Sequence, residues 1–171
     1  MTSKAINTAE TGYAERREEI FVYLQAIGLL ARNNNAAALE KIQEAIKDFP
    51  NEPIMHMRRI DLLVQSTSLT AEFVEEEVRT ELATLDLLAN HESIFKIRGS
   101  RDRIAFLYAG AQCRRRGWEQ LGKTCVMTAL RYFPNDEVFL SYLDDSPSSF
   151  VKPYRPWLGF RKHRKNKPRN G

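Results

Sequence analysis

Three histidines, two cysteines and 22 carboxylates are the side chains whose types could do chemistry here. Imidazoles ligate metals and shuttle protons near neutral pH. His56, His91 and His163 are scattered, with no cysteine or carboxylate at the intervals that gather ligands around one ion. A nucleophilic cysteine must be a thiolate, which needs an electropositive, partly exposed setting. Cys113 and Cys125 fall on apolar helical faces and read as packed thiols. The carboxylates recur at the spacing of a solvated helix surface, so paired acid–base work has no support. No glycine-rich strand–turn–helix segment is present to cradle a phosphate. The expectation is a non-enzymatic protein with no cofactor and no metal.

What the sequence does concentrate is positive charge. Of the 26 Lys and Arg, eight lie in residues 152–171, which hold no Asp or Glu. The other 18 stand against all 22 acidic residues. The net +4 thus divides into a mildly acidic body and a strongly basic end. Block charge at a terminus marks a solvated tail or an interaction tail. Residues 150–160 interleave Phe150, Tyr154, Trp157 and Phe160 with Pro153 and Pro156. Proline there forbids a regular helix and favours an extended path. Tyr154, Arg155, Trp157, Phe160, Arg161, Lys162, Arg164, Lys165, Lys167 and Arg169 are the candidate contacts of this tail. Three readings stay open for its basic part: solvation alone, contact with a polyanion such as nucleic acid, and docking on an acidic protein surface, including the chain's own Glu72–Glu77 region. The aromatic part could equally seal an apolar face of the chain itself.

The elements that must position these groups are helical. Apolar residues make up 43% of the 171, enough for one domain with a core. Ala, Leu, Glu, Arg and Lys dominate, a mix that favours helix. Residues 1–12 read as unstructured. From Glu15 a first helix places Ile20, Leu24 and Ile27 on one face, and Asn33–Asn35 ends it. Ala38, Ile42, Ala45, Ile46 and Phe49 stripe a second helix. Asn51 would cap a third, carrying Ile54, Met57, Ile60, Leu63 and Val64. Thr70 would cap a fourth, with Val74, Val78, Leu82, Leu85 and Leu88 in period. Residues 90–99 read as an irregular connection. Ser100 would cap a fifth helix with Ile104, Leu107, Tyr108 and Ala111 inward, broken at Gly117. A sixth follows from Trp118 and a short seventh after Asn135. Residues 146–149 read as a linker, so the helical domain would span 13–145 and the linker and tail 146–171. No stretch alternates with period two, and no sheet is predicted. The longest apolar run, Ile20 to Ala31, is too short to span a bilayer. The first residues lack a secretory signal pattern, and two cysteines make no disulfide framework. A cytoplasmic protein with no membrane span is expected.

Two helix ends repeat: Ala45-Ile-Lys-Asp-Phe-Pro-Asn51 and Ala129-Leu-Arg-Tyr-Phe-Pro-Asn135. This resembles the close of a tetratricopeptide repeat, a helix–turn–helix unit with small residues at fixed packing positions. Counting from the prolines, Phe106, Gly110, Gly117, Gly122, Ala129 and Pro134 fall on that family's signature positions. So do Val22, Ala26, Leu29, Ala38, Ile42, Ala45 and Pro50. The prolines lie 84 residues apart, which is no multiple of the repeat, and the middle helix pair lacks the closing signature. The resemblance implies an all-α, right-handed solenoid of antiparallel helix pairs, with about seven helices. It also implies a concave groove lined by the first helix of each pair, where Tyr23, Ile27, Leu107, Ala111, Arg114 and Arg115 would meet a peptide or partner helix. Arg114–Arg116 could instead serve only to complement a helix C-terminus. The size is similar to that of small tetratricopeptide chaperones of bacterial secretion systems. The leading functional expectation is a protein-binding adaptor, chaperone or assembly factor. The second is a polyanion-binding accessory protein working through the tail, and the third is homo-oligomerisation through the groove.

Overall fold

The computed structural model describes residues 3–97 and 99–143. Among them are seven helices and no strand: α1 (Ser3–Asn33), α2 (Asn35–Asp48), α3 (Pro53–Gln65), α4 (Ala71–Leu88), α5 (Ser100–Arg115), α6 (Glu119–Tyr132) and α7 (Glu137–Leu143). Short connections fold them into hairpins, α1 with α2, α3 with α4, and α5 with α6. The first hairpin joins the second through α2 and α3. The second joins the third through α3 with α5 and α4 with α6. The short α7 lies on α6.

One helix explains the order. Nine of the 13 residues of α3 are buried, so it must be covered on nearly every side. Met55 and Leu62 join Ile20, Ile27, Ile42 and Phe49 in one apolar cluster with α1 and α2. Met57, Ile60, Leu63 and Val64 join a second cluster formed with α4 to α7 around Phe106, Val126 and Phe139. Each such side chain contributes about 1.5–3 kcal/mol on burial. α3 is thus the shared wall between two cores.

The helix ends follow local chemistry, with some departures from the expected positions. Asn34 caps α2, its side chain accepting from Ala37 N–H at 3.0 Å, and Thr70 caps α4, accepting from Phe73 N–H at 3.3 Å. Asn51 does not cap α3; Glu52 holds that position, and its carboxylate goes elsewhere. Gly99 rather than Ser100 precedes α5, and the Asp102 carboxylate accepts from Gly99 N–H at 3.1 Å. Asp136 rather than Asn135 caps α7, accepting from Val138 and Phe139 N–H. The backbone of α1 is helical from Ser3, ahead of the expected start at Glu15 and through most of the 1–12 segment read as unstructured. Residues 3–14 contain no proline, and extending a nucleated helix costs little per residue.

The register of α5 also differs. Phe106, Ala109, Gly110 and Cys113 face the core, whereas Ile104 and Ala111 are exposed. α5 is apolar on more than one face, so its period does not select a side; close packing does. Gly110 and Gly122 bring the backbones of α5 and α6 together, and Tyr142 Oη donates to the Gly110 carbonyl at 2.9 Å beside them. Gly117 sits at φ +80° between the two helices, and across it Trp118 N–H donates to the Cys113 carbonyl at 2.9 Å.

Candidate functional site

α1, α3 and α5, the first helices of the three hairpins, each turn a side into one cavity of about 250 Å³. Leu24, Ile54, Met57 and Ala105 give it apolar walls, and Arg58, Asp61 and Asp102 give it charge. Arg58 Nη1 donates to Asp61 Oδ2 at 2.9 Å, and Gln65 Nε2 donates to the other carboxylate oxygen at 2.6 Å. The i, i+3 spacing on α3 sets the first contact and the i, i+4 spacing the second. Tyr108, half-buried on α5 and packed against the core, is close enough to Asp61 to feel its charge. Burial pushes its hydroxyl pKa up and the nearby Asp61 charge adds to this, while Gln112, Arg115 and Arg116 act the other way.

None of the six residues expected in a groove lines this one. Ile27 has no exposed surface and belongs to the core, so it cannot meet a partner. Tyr23 turns toward α2, donating from its hydroxyl to Asp48 Oδ2 at 3.2 Å, edge-on to Phe49 and beneath Lys41. Leu107 packs half-buried against the core, and Ala111 is exposed without lining the cavity. The Arg114 guanidinium lies 4.2 Å from the Tyr142 ring centroid, on the α7 side. Arg115 is exposed and does not line the cavity. The cause is the α5 register. From α5, Asp102 and Ala105 are the residues that line the cavity with α3. The cavity is lined instead by Leu24, Ile54, Met57, Arg58, Asp61, Asp102 and Ala105, none of which sequence reasoning placed in a groove.

The neighbouring charged groups are committed to structure. Arg116 Nη2 donates to the carbonyls of Val64 and Ser66 at 3.1 Å each, closing the C-terminus of α3, and its guanidinium stacks over Trp118. His56 is buried with both ring nitrogens engaged, Nδ1 with Glu81 Oε2 at 2.6 Å and Nε2 with the Pro50 carbonyl at 2.9 Å. Two acceptors favour the imidazolium, which donates to both. Burial alone would lower the His56 pKa, but Glu81 and the Pro50 carbonyl outweigh it and hold it above its ordinary value. Arg59 bridges Glu81 and Glu77 from the same helix. Glu52 is buried and accepts from Ile94 N–H at 2.9 Å and Phe95 N–H at 3.1 Å, tying the 89–99 connection to the start of α3.

Burial pushes the thiols up, Cys113 to about 11 and Cys125 further, so both are neutral near pH 7. Among the described residues no three His, Cys, Asp or Glu side chains group to hold a metal ion. No helix among them is long and apolar enough to cross a membrane. The tail residues Tyr154, Arg155, Trp157, Phe160, Arg161, Lys162, Arg164, Lys165, Lys167 and Arg169, and the 145/146 boundary, lie outside the described residues. No protein-family model matches the chain, and no curated protein or solved structure matches it either.

Proposed function

We propose that this protein is a non-catalytic, tetratricopeptide-like helical scaffold that holds a peptide or helix of a partner protein along α1, α3 and α5. The observation that carries this reading is the cavity to which all three first helices contribute, with apolar walls beside the Arg58–Asp61 pair. Apolar walls with a few fixed charges suit an amphipathic segment, since apolar burial supplies affinity and the charges set orientation. The close Gly110–Gly122 contact and the paired helices support the family likeness, and the α4–α6 contact departs from a regular repeat. The buried, hydrogen-bonded His56 and the neutral thiols support a structural role for the groups that could otherwise do chemistry.

A second reading rests on the eight Lys and Arg of residues 152–171, which would bind a polyanion without sequence preference and with strong salt dependence. One affinity-capture experiment separates the two. Nuclease-treated lysate is passed over the full chain, the 1–149 chain, and an Arg58→Asp/Asp61→Arg exchange that keeps the pair but reverses its direction. The groove reading expects one stoichiometric protein on the full and shortened chains, lost from the exchange variant. Capture that disappears with the tail and with nuclease would instead make the tail the site and nucleic acid its ligand.

A further inference from the structure

A second groove lies on the opposite side of α1, against α2. It measures about 690 Å³, with Val22, Tyr23 and Ala26 as its floor and Lys41 at its edge. Glu15, Glu18 and Glu19 form its rim. Beyond it the same face of α1 continues in Leu29. Val22 is 59% exposed and Leu29 62% exposed, although both are apolar and lie about two helical turns apart on one face. The terminal helix of a stacked array has such a face because no further helix covers it, and it must be shielded from solvent by some other means.

We propose that the aromatic segment 150–160 of the same chain docks in this groove. The two are complementary in kind. The segment offers Tyr154, Trp157 and Phe160 to an apolar floor, and it offers Lys152 and Arg155, with Arg161 just beyond, to three carboxylates. Residues 152–171 carry no acid that the rim would repel. Pro153 and Pro156 favour the extended form that a long, shallow groove accepts at small entropic cost. The reach suffices. Trp157 lies 14 residues beyond the end of α7 at Leu143, up to about 50 Å of extended chain. The 31-residue α1 is about 46 Å long, so the extended chain matches the length of that helix.

Other surfaces fit less well. Met127 and Leu140 are exposed nearer the tail, but α6 has no acidic residue after Glu119 to attract it. On α4, Glu75 is already paired with Arg79 and Glu77 with Arg59.

The test uses the full chain with Leu158→Cys carrying a nitroxide attached through a maleimide. The native Cys113 and Cys125 are buried, so the introduced thiol is the one that reacts. Paramagnetic broadening of backbone amides then reports which surface the segment visits. The expected result is broadening concentrated at residues 18–29. It should fall roughly fivefold in Glu18→Lys/Glu19→Lys, whose exposed positions leave the fold intact. It should also weaken with salt. Broadening centred on α6 and α7, or weak and even over the whole surface, would overturn the proposal. So would broadening that appears only when spin-labelled chain is mixed with isotope-labelled, spin-free chain, because contact would then be between copies. Failure of partner capture at the α1–α3–α5 groove would leave this result unchanged, since the two grooves lie on different sides of α1.

Discussion

A Cβ built on Gly122 would lie 3.1 Å from the Gly110 carbonyl oxygen and 2.9 Å from Tyr142 Oη, whereas one on Gly110 would lie 3.7 Å from the Gly122 carbonyl oxygen. Two glycines facing each other across α5 and α6 are therefore not equivalent. Gly122→Ala must push α5 and the Tyr142 hydroxyl aside, and should cost about 1–3 kcal/mol. Gly110→Ala meets only ordinary van der Waals contacts, with Val126 Cγ2 the nearest at 3.5 Å. It should be neutral, or stabilise by up to ~1 kcal/mol through helix propensity. Urea unfolding of the two variants checks the asymmetry. Equal losses would mean that the helices are farther apart or differently registered.

The buried His56 should make stability pH-dependent. Its pKa in the folded chain lies above the ordinary value because Glu81 and Pro50 accept from both nitrogens and outweigh the opposing effect of burial. The unfolded imidazole titrates near about 6.5. A raised folded pKa gives stabilisation that is complete below about 6.5 and is lost as pH rises through the folded pKa. Denaturant midpoints should thus fall between slightly acidic and mildly alkaline pH. His56→Gln should flatten that slope. A wild-type midpoint that does not fall across that range would remove the imidazolium from the account.

Much of this was legible in the sequence, for identifiable reasons. Where a helix has a single apolar stripe, as in α2 with Ala38, Ile42 and Ala45, its period located both helix and buried face. The cap at Thr70 was readable, whereas Glu52, Gly99 and Asp136 each took a cap position one residue from the expected one. The failures share a cause as well. α5 carries more than one apolar stripe, and only the nonlocal approach of Gly122 chooses between them. The resemblance placed Leu107, Ala111 and Arg114 at the groove, whereas the α5 residues that line the cavity are Asp102 and Ala105. Ile27 was placed at the groove by resemblance although its own period placed it in the core. Glu52 could not be read at all, because its partners lie 42 and 43 residues away.

Those Glu52 contacts predict a local effect. Glu52→Ala leaves the Ile94 and Phe95 amides without their carboxylate acceptor. Bonds to a charged group contribute about 1.5–3 kcal/mol, so exchange of these two amides should accelerate ~10–100-fold. Amides of α6 should change far less, since Glu52 does not touch that helix. Hydrogen exchange resolved by residue checks this. Unchanged rates at 94 and 95 would show that the connection is held by packing of Phe95 and Ile97 rather than by Glu52.

The account's central claim is that the α1–α3–α5 groove is where a partner binds, and crosslinking inside the cell tests it most directly. A photoreactive phenylalanine replaces Ala105 in the full chain, with Glu76 on the exposed face of α4 as the control position. The account predicts a discrete adduct with one other protein from position 105, absent from position 76 and lost when Arg58→Asp/Asp61→Arg is added. Adducts that form equally from both positions, or that depend on residues 152–171 and not on the groove, would contradict it.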